Sequence, residues 1–153
     1  ASYFKQAAAK NANAAEVNAN LGLCELVNDN VASAEAYLSK ATGASAVNEA
    51  LGNLYIKQGQ YQRAVNAFGD AKTNSAAQAQ ILAKDYNKAK ATLEAIKNPN
   101  AMTDYLMAIV GARTNNESLV SKSLKSAIAK DASIATKAAN DREFAKFAAS
   151  ILK

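Results

Sequence analysis

The chain has 153 residues, 18 Lys+Arg against 13 Asp+Glu, 50% apolar content, one Cys, one Pro and no His or Trp. That length suits one ordinary domain with a buried core, and no apolar run approaches the roughly 20 residues that a bilayer needs. Without His there is no Ser-His-Asp or Cys-His catalysis and no His-ligated metal. A single Cys closes no internal disulfide and builds no Cys-rich metal cage.

Apolar residues recur at three- and four-residue spacing along the whole chain, which predicts an all-α protein. The 37 Ala support it, because Ala loses least entropy on becoming helical. Polar breaks fall at Lys10-Asn11, Asn28-Asp29-Asn30, Thr42-Gly43, Gln58-Gly59, Thr73-Asn74, Lys84-Asp85, Asn98-Pro99-Asn100, Thr114-Asn115-Asn116 and Asn140-Asp141. Short segments between such brief breaks read as antiparallel helix pairs. Asn and Asp suit the breaks because their side chains accept from free N–H groups at helix starts, and Asn tolerates left-handed backbone at helix ends.

One pattern repeats along these pairs. Near the start, Phe4 and Ala7 fit the end of a second helix, so the chain is expected to begin in mid-repeat, as a segment of a longer protein. The next unit carries Leu21, Gly22, Ala34, Leu38 and Ala41, with Glu25 and Val31 where large aromatics are expected. The clearest unit follows, with Leu51, Gly52, Tyr55, Gly59, Tyr61, Ala64, Phe68 and Ala71. Tyr86, Ala89 and Leu93 then fit a second helix whose first helix is short. A further unit has Met107, Ala108, Val120, Leu124 and Ala127, with Val at the small contact position. The large marker runs Phe4, Leu38, Phe68, Leu93, Leu124, at spacings of 34, 30, 25 and 31. Finally, Phe144, Phe147, Ala148 and Ile151 lie on one face of an expected terminal helix over residues 141–153, which closes the stack.

The segment from Leu51 to Ala71 resembles the tetratricopeptide repeat (TPR), whose pattern is L-G-x-x-Y-x-x-x-G-x-Y-x-x-A-x-x-x-F-x-x-A. All eight marked residues are present. The physics agrees with the resemblance: Gly52 and Ala64 are small where two helices touch, Tyr55 and Phe68 fill the space between, and Gly59 ends the first helix. The resemblance implies one domain over residues 1–153, an α–α superhelix of antiparallel hairpins, and a concave groove. By the same resemblance Glu49, Asn53, Lys57, Gln78, Tyr105 and Arg113 line that groove, while Tyr55, Tyr61 and Tyr86 are packing residues. Such a mixed polar surface suits an extended or helical peptide. The family's grip on chaperone C-terminal carboxylates is not carried over. Ala19 or Glu49 stands at its first Lys position, Leu23 or Asn53 at its Asn position, and only Asn53 matches.

Catalytic chemistry has no visible seat, so an enzyme is not expected. Cys24 lies between apolar neighbours and beside Glu25, which disfavours a thiolate. Carboxylates such as Asp141 and Glu143 read as helix caps and first-turn charges, and no Gly-rich phosphate cradle exists. No cofactor, metal or small-molecule substrate is therefore expected. The net +5 lies wholly in residues 77–153. Lys84, Lys88, Lys90, Lys122, Lys125 and Lys130 are its densest stretches, but Glu94, Asp104 and Glu117 interrupt them. Nucleic-acid binding wants a continuous stripe with stacking aromatics, so a solvated face is the favoured reading.

The expected function is a noncatalytic protein-interaction or scaffold module. The alternative is a structural spacer within a larger cell-envelope protein, binding nothing itself. An unpaired first helix would leave an apolar edge open to a partner or to self-association. The Ala- and Asn-rich texture resembles repeat regions of exported bacterial envelope proteins, which implies an exported location.

Overall fold

The computed structural model describes residues 2–3, 5–6, 15–41 and 45–151. Every regular element among them is helical. The chain folds as two compact units, Ala1–Gly69 and Asp70–Lys153.

The first unit holds α1 (Ala15–Val27), α2 (Val31–Lys40), α3 (Ser45–Lys57) and α4 (Tyr61–Phe68). The second holds α5 (Asn74–Leu82), α6 (Tyr86–Glu94), α7 (Ala101–Arg113), α8 (Glu117–Lys130) and α9 (Ile134–Asn140), then a 3₁₀ segment Arg142–Phe147 and α10 (Ala148–Ile151). Consecutive helices pair most closely: α1 with α2, α3 with α4, α5 with α6 and α7 with α8. Three-residue connections of this kind force the two helices to run back along one another.

All four connections are the same turn. The first helix of each pair ends on a residue with left-handed backbone: Asp29 (φ 59°), Gly59 (φ 72°), Lys84 (φ 65°) and Asn115 (φ 56°). The next N–H then donates to the carbonyl five residues back. These bonds are Asn30 to Glu25 (2.8 Å), Gln60 to Tyr55 (2.8 Å), Asp85 to Gln80 (2.9 Å) and Asn116 to Gly111 (2.7 Å). This Schellman arrangement satisfies carbonyls that the helix end leaves free. The four turns recur at spacings of 30, 25 and 31, the intervals already seen from Leu38 to Leu124. The short interval arises because α5 has 9 residues where α3 has 13.

Helix starts follow local chemistry. Asp85 Oδ1 accepts from the N–H of Lys88 at 3.2 Å, and Asn116 Oδ1 from that of Leu119 at 3.0 Å. Asn100 and Thr103 form a reciprocal capping box just after Pro99, each side chain accepting from the other's N–H at 3.0 and 3.1 Å. Thr73 Oγ1 accepts from the N–H of Ala76 at 3.2 Å.

Packing repeats with the turns. Five residues after each turn residue stand Ala34, Ala64, Ala89 and Val120, all fully buried. Four further on come Leu38, Phe68, Leu93 and Leu124, also buried. Opposite them, a Cβ placed on Gly22 would lie 2.5 Å from Leu38 Cγ, and one on Gly52 2.5 Å from the Phe68 ring. These helices touch backbone to side chain, and only hydrogen fits.

In the α7–α8 pair the volumes are exchanged. Gly111 stands where the α3–α4 pair has Tyr55, and Val120 stands where that pair has Ala64. A Cβ on Gly111 would lie 3.0 Å from the Val120 backbone N and 3.1 Å from its Cγ2. The enlarged Val noted in the sequence is thus matched by the loss of the large residue facing it.

Three expectations need correction. Tyr61, assigned to packing, is 36% exposed at the first turn of α4. The terminal helix over 141–153 is instead a 3₁₀ segment followed by α10, and Phe144 and Phe147 are buried three residues apart, the 3₁₀ period. Ala148, placed on their face, is exposed. Between the last repeat and this segment lies α9, which the sequence reading left unassigned and which buries Ile134 and Ala138. Phe4, Ala7 and the breaks at Lys10-Asn11 and Thr42-Gly43 lie outside the described residues.

Candidate binding surface

The residues assigned to a groove divide between the two units. In the first unit Glu49, Asn53 and Lys57 stand four apart on α3 and form one exposed stripe. Lys57 Nζ reaches Asp29 Oδ1 at 3.2 Å, and both side chains are open to solvent, so this ion pair contributes little. On another side of α3, Asn48, Leu51 and Tyr55 border a recess with Ser39, Arg63 and Asn66. The Arg63 guanidinium lies 4.1 Å over the Tyr55 ring and pairs with Glu35 at 2.9 Å, which covers the aromatic face.

In the second unit Gln78 and Tyr105 meet at one recess of about 440 Å³. Asn74, Ser75 and Gln78 of α5 line one side, and Met102, Tyr105, Leu106 and Ile109 of α7 the other, with Lys137 and Asp141 completing the lining. The register explains the arrangement. Gln78 falls between Ala77 and Ala79, both fully buried, and is itself exposed. On α7, Leu106 and Val110 enter the core while Met102 stays 40% exposed. The recess therefore sets a polar side on α5 against a largely apolar side on α7, a mixed lining able to hold both an apolar side chain and polar backbone groups.

Tyr105 is placed differently from a groove aromatic. It is only 3% exposed and belongs to the core formed by α7, α8, α9 and the 3₁₀ segment. Phe144 meets its ring edge-on with centroids 5.5 Å apart, and Lys137 Nζ lies 4.7 Å over it. Its hydroxyl donates to Asp141 Oδ2, while Asp141 Oδ1 caps the 3₁₀ segment by accepting from the N–H of Glu143 at 3.0 Å. Burial, then the bond to the Asp141 carboxylate, pushes the phenol well above its ordinary value.

Arg113 also has an internal partner. Its Nε donates to Glu143 Oε1 at 3.1 Å, and this bond holds the guanidinium above its ordinary value. Tyr105 and Arg113 thus bind the 3₁₀ segment through Asp141 and Glu143, two acids that read from sequence as helix caps and first-turn charges. Lys137 and Met102 were not singled out at all. Lys137 was hidden because α9 is only seven residues long and lacks a side-chain cap at its start. Met102 reads as one more apolar residue until the faces of α7 are known.

Among the described residues no cluster of His, Cys, Asp and Glu is arranged to hold a metal ion. Cys24 is half-buried. No helix of the described residues is long and apolar enough to cross a membrane. No protein-family model matches the chain, and no curated protein matches it.

Proposed function

We propose that this chain is a noncatalytic TPR-like helical-repeat module, an α–α superhelix that holds a peptide segment of a protein partner. The recess between α5 and α7 carries this reading. First helices of successive hairpins border it, and it sets the polar Asn74, Ser75 and the exposed Gln78 against the apolar Met102, Leu106 and Ile109. The repeat assignment draws support from the identical turns at intervals of 30, 25 and 31 and from the small residues at each hairpin contact.

Selection from a displayed random-peptide library against the full chain tests the proposal. Enriched peptides should lose binding at least tenfold on Met102→Asp and on Gln78→Arg, both exposed and safe for the fold. They should retain it on Glu49→Lys in the other unit. Equal binding to all variants refutes the recess as the site. Failure to enrich any peptide favours the spacer reading instead.

A further inference from the structure

The peptide recess does not account for the charge asymmetry. Residues 1–69 carry five Lys+Arg and five Asp+Glu, whereas residues 70–153 carry 13 and eight, so the whole +5 belongs to the second unit. The structure adds what composition cannot show: how the acids of that unit are used. Asp104 binds Lys130 at 2.7 Å and Ser126 at 2.6 Å, and Glu143 binds Arg113. Glu94 stands 3.9 Å from Lys90, and Asp131 accepts from Ser133. Asp141 takes the Tyr105 hydroxyl, and Asp85 caps α6. Most of the negative charge is committed to internal contacts.

Four of its lysines are not. Lys84, Lys88, Lys122 and Lys125 are exposed, and no carboxylate of the described residues stands within 4.0 Å of any of them. Lys84 stands in the turn before α6 and Lys88 in its first turn, and Ala91 and Ala95 follow Lys88 at helical spacing. Lys122 and Lys125 lie on the face of α8 opposite its buried Val120, Ser123, Leu124 and Ala127. The flanking positions on that face are Ser118 and Ala129. Small Ala and Ser residues share the helical faces of Lys88, Lys122 and Lys125.

We propose that these lysines dock the second unit onto an anionic phospholipid surface by charge alone. Lysine ammoniums are point charges that meet a dense, mobile layer of phosphates without needing a fixed geometry. Single-stranded nucleic acid asks for more, because its binding rests on stacking as well as phosphate contact. α8 has no aromatic, and Tyr86 of α6 packs against the core of its unit. Small Ala and Ser neighbours provide no apolar wedge, so the protein rests on the headgroups without entering the hydrocarbon.

Co-sedimentation of the full chain tests this, using phosphatidylcholine vesicles with and without 30 mol% phosphatidylglycerol at low salt. Binding is expected only to the anionic vesicles and should disappear near 0.5 M salt. Each Lys→Gln change should weaken partitioning about fivefold. The quadruple variant K84Q/K88Q/K122Q/K125Q should therefore leave no measurable binding, with its helical signal unchanged. Lys40→Gln, an exposed change of equal charge in the first unit, should have little effect. Equal binding to neutral vesicles overturns the proposal, as does anionic binding that the quadruple variant retains. Retention of an oligonucleotide under conditions where anionic vesicles are not bound also overturns it.

Discussion

The α3–α4 and α7–α8 hairpins share the same connecting turn but distribute the volume between their helices in opposite ways. In α3–α4 the first helix supplies Tyr55, 7% exposed, and the second answers with Ala64 and the large Phe68. In α7–α8 the first helix supplies Gly111, and the second fills the space with Val120 and Leu124. Helix spacing is set by the sum of facing side chains, not by the residue at one position. A hairpin can therefore lose a marker residue and keep its turn and a filled contact if the facing residue changes with it.

The largest test of that comparison is deletion of the shared large marker. Phe68→Ala should cost about 3–5 kcal/mol, and Leu124→Ala about 2–5 kcal/mol, in denaturant unfolding followed by circular dichroism. Near-zero cost at either site would show that the marker does not fill the hairpin. Replacing the close-contact glycines sharpens the contrast. Gly52→Ala and Gly111→Ala should each cost about 1–3 kcal/mol. Their rescue should differ, because the Gly52 clash is with the Phe68 ring and the Gly111 clash reaches the Val120 backbone N. Phe68→Leu should restore most of the stability of Gly52→Ala, whereas Val120→Ala should restore only part of that of Gly111→Ala. Full rescue in both double-mutant cycles would erase the distinction drawn between the two contacts.

An effect of similar size, set by pH, belongs to the second unit alone. Tyr105→Phe removes the bond to the Asp141 carboxylate and should cost about 1.5–3 kcal/mol at neutral pH. The phenol is raised above the ordinary value of about 10 in the folded chain, so its neutral form is the one folding favours. The associated stability is fully present below pH 10 and is lost as pH rises beyond it. Tyr105→Phe should flatten that alkaline loss, and parallel unfolding curves from pH 8 to 11.5 for the two proteins measure it. The smallest effect is at Gln80, 1% exposed, whose Oε1 has no hydrogen-bond partner. Gln80→Met should stabilise the chain by about 1 kcal/mol by removing a buried, unsatisfied acceptor. Destabilisation would show that the amide is satisfied through its surroundings.

Much of the helical layout was legible because it depends on residues with one strong physical preference. Of the four hairpin turns described, only Gly59's is filled by glycine, and it marks its turn without help. Asp29, Lys84 and Asn115 adopt the same left-handed backbone, and a Lys there is invisible to any turn rule. Pro99 and Asn100 announced α7. By contrast α9 was missed, since its seven residues hold little more than one apolar pair, Ile134 and Ala138. That omission carried through to the site. The exposure of Tyr105 depends on whether α9 and Phe144 pack over it, and a repeat register read one hairpin at a time cannot show that. The stripe Glu49–Asn53–Lys57 was legible because helical spacing alone decides it.

The proposed peptide site is the recess between α5 and α7. Amide chemical-shift mapping of the full chain with a library-selected peptide measures this most directly. Perturbations are expected to concentrate at Ser75, Gln78, Met102 and Ile109, with α6 and α8 unmoved. Perturbations centred on the lysine faces of α6 and α8, with α5 and α7 silent, would contradict it.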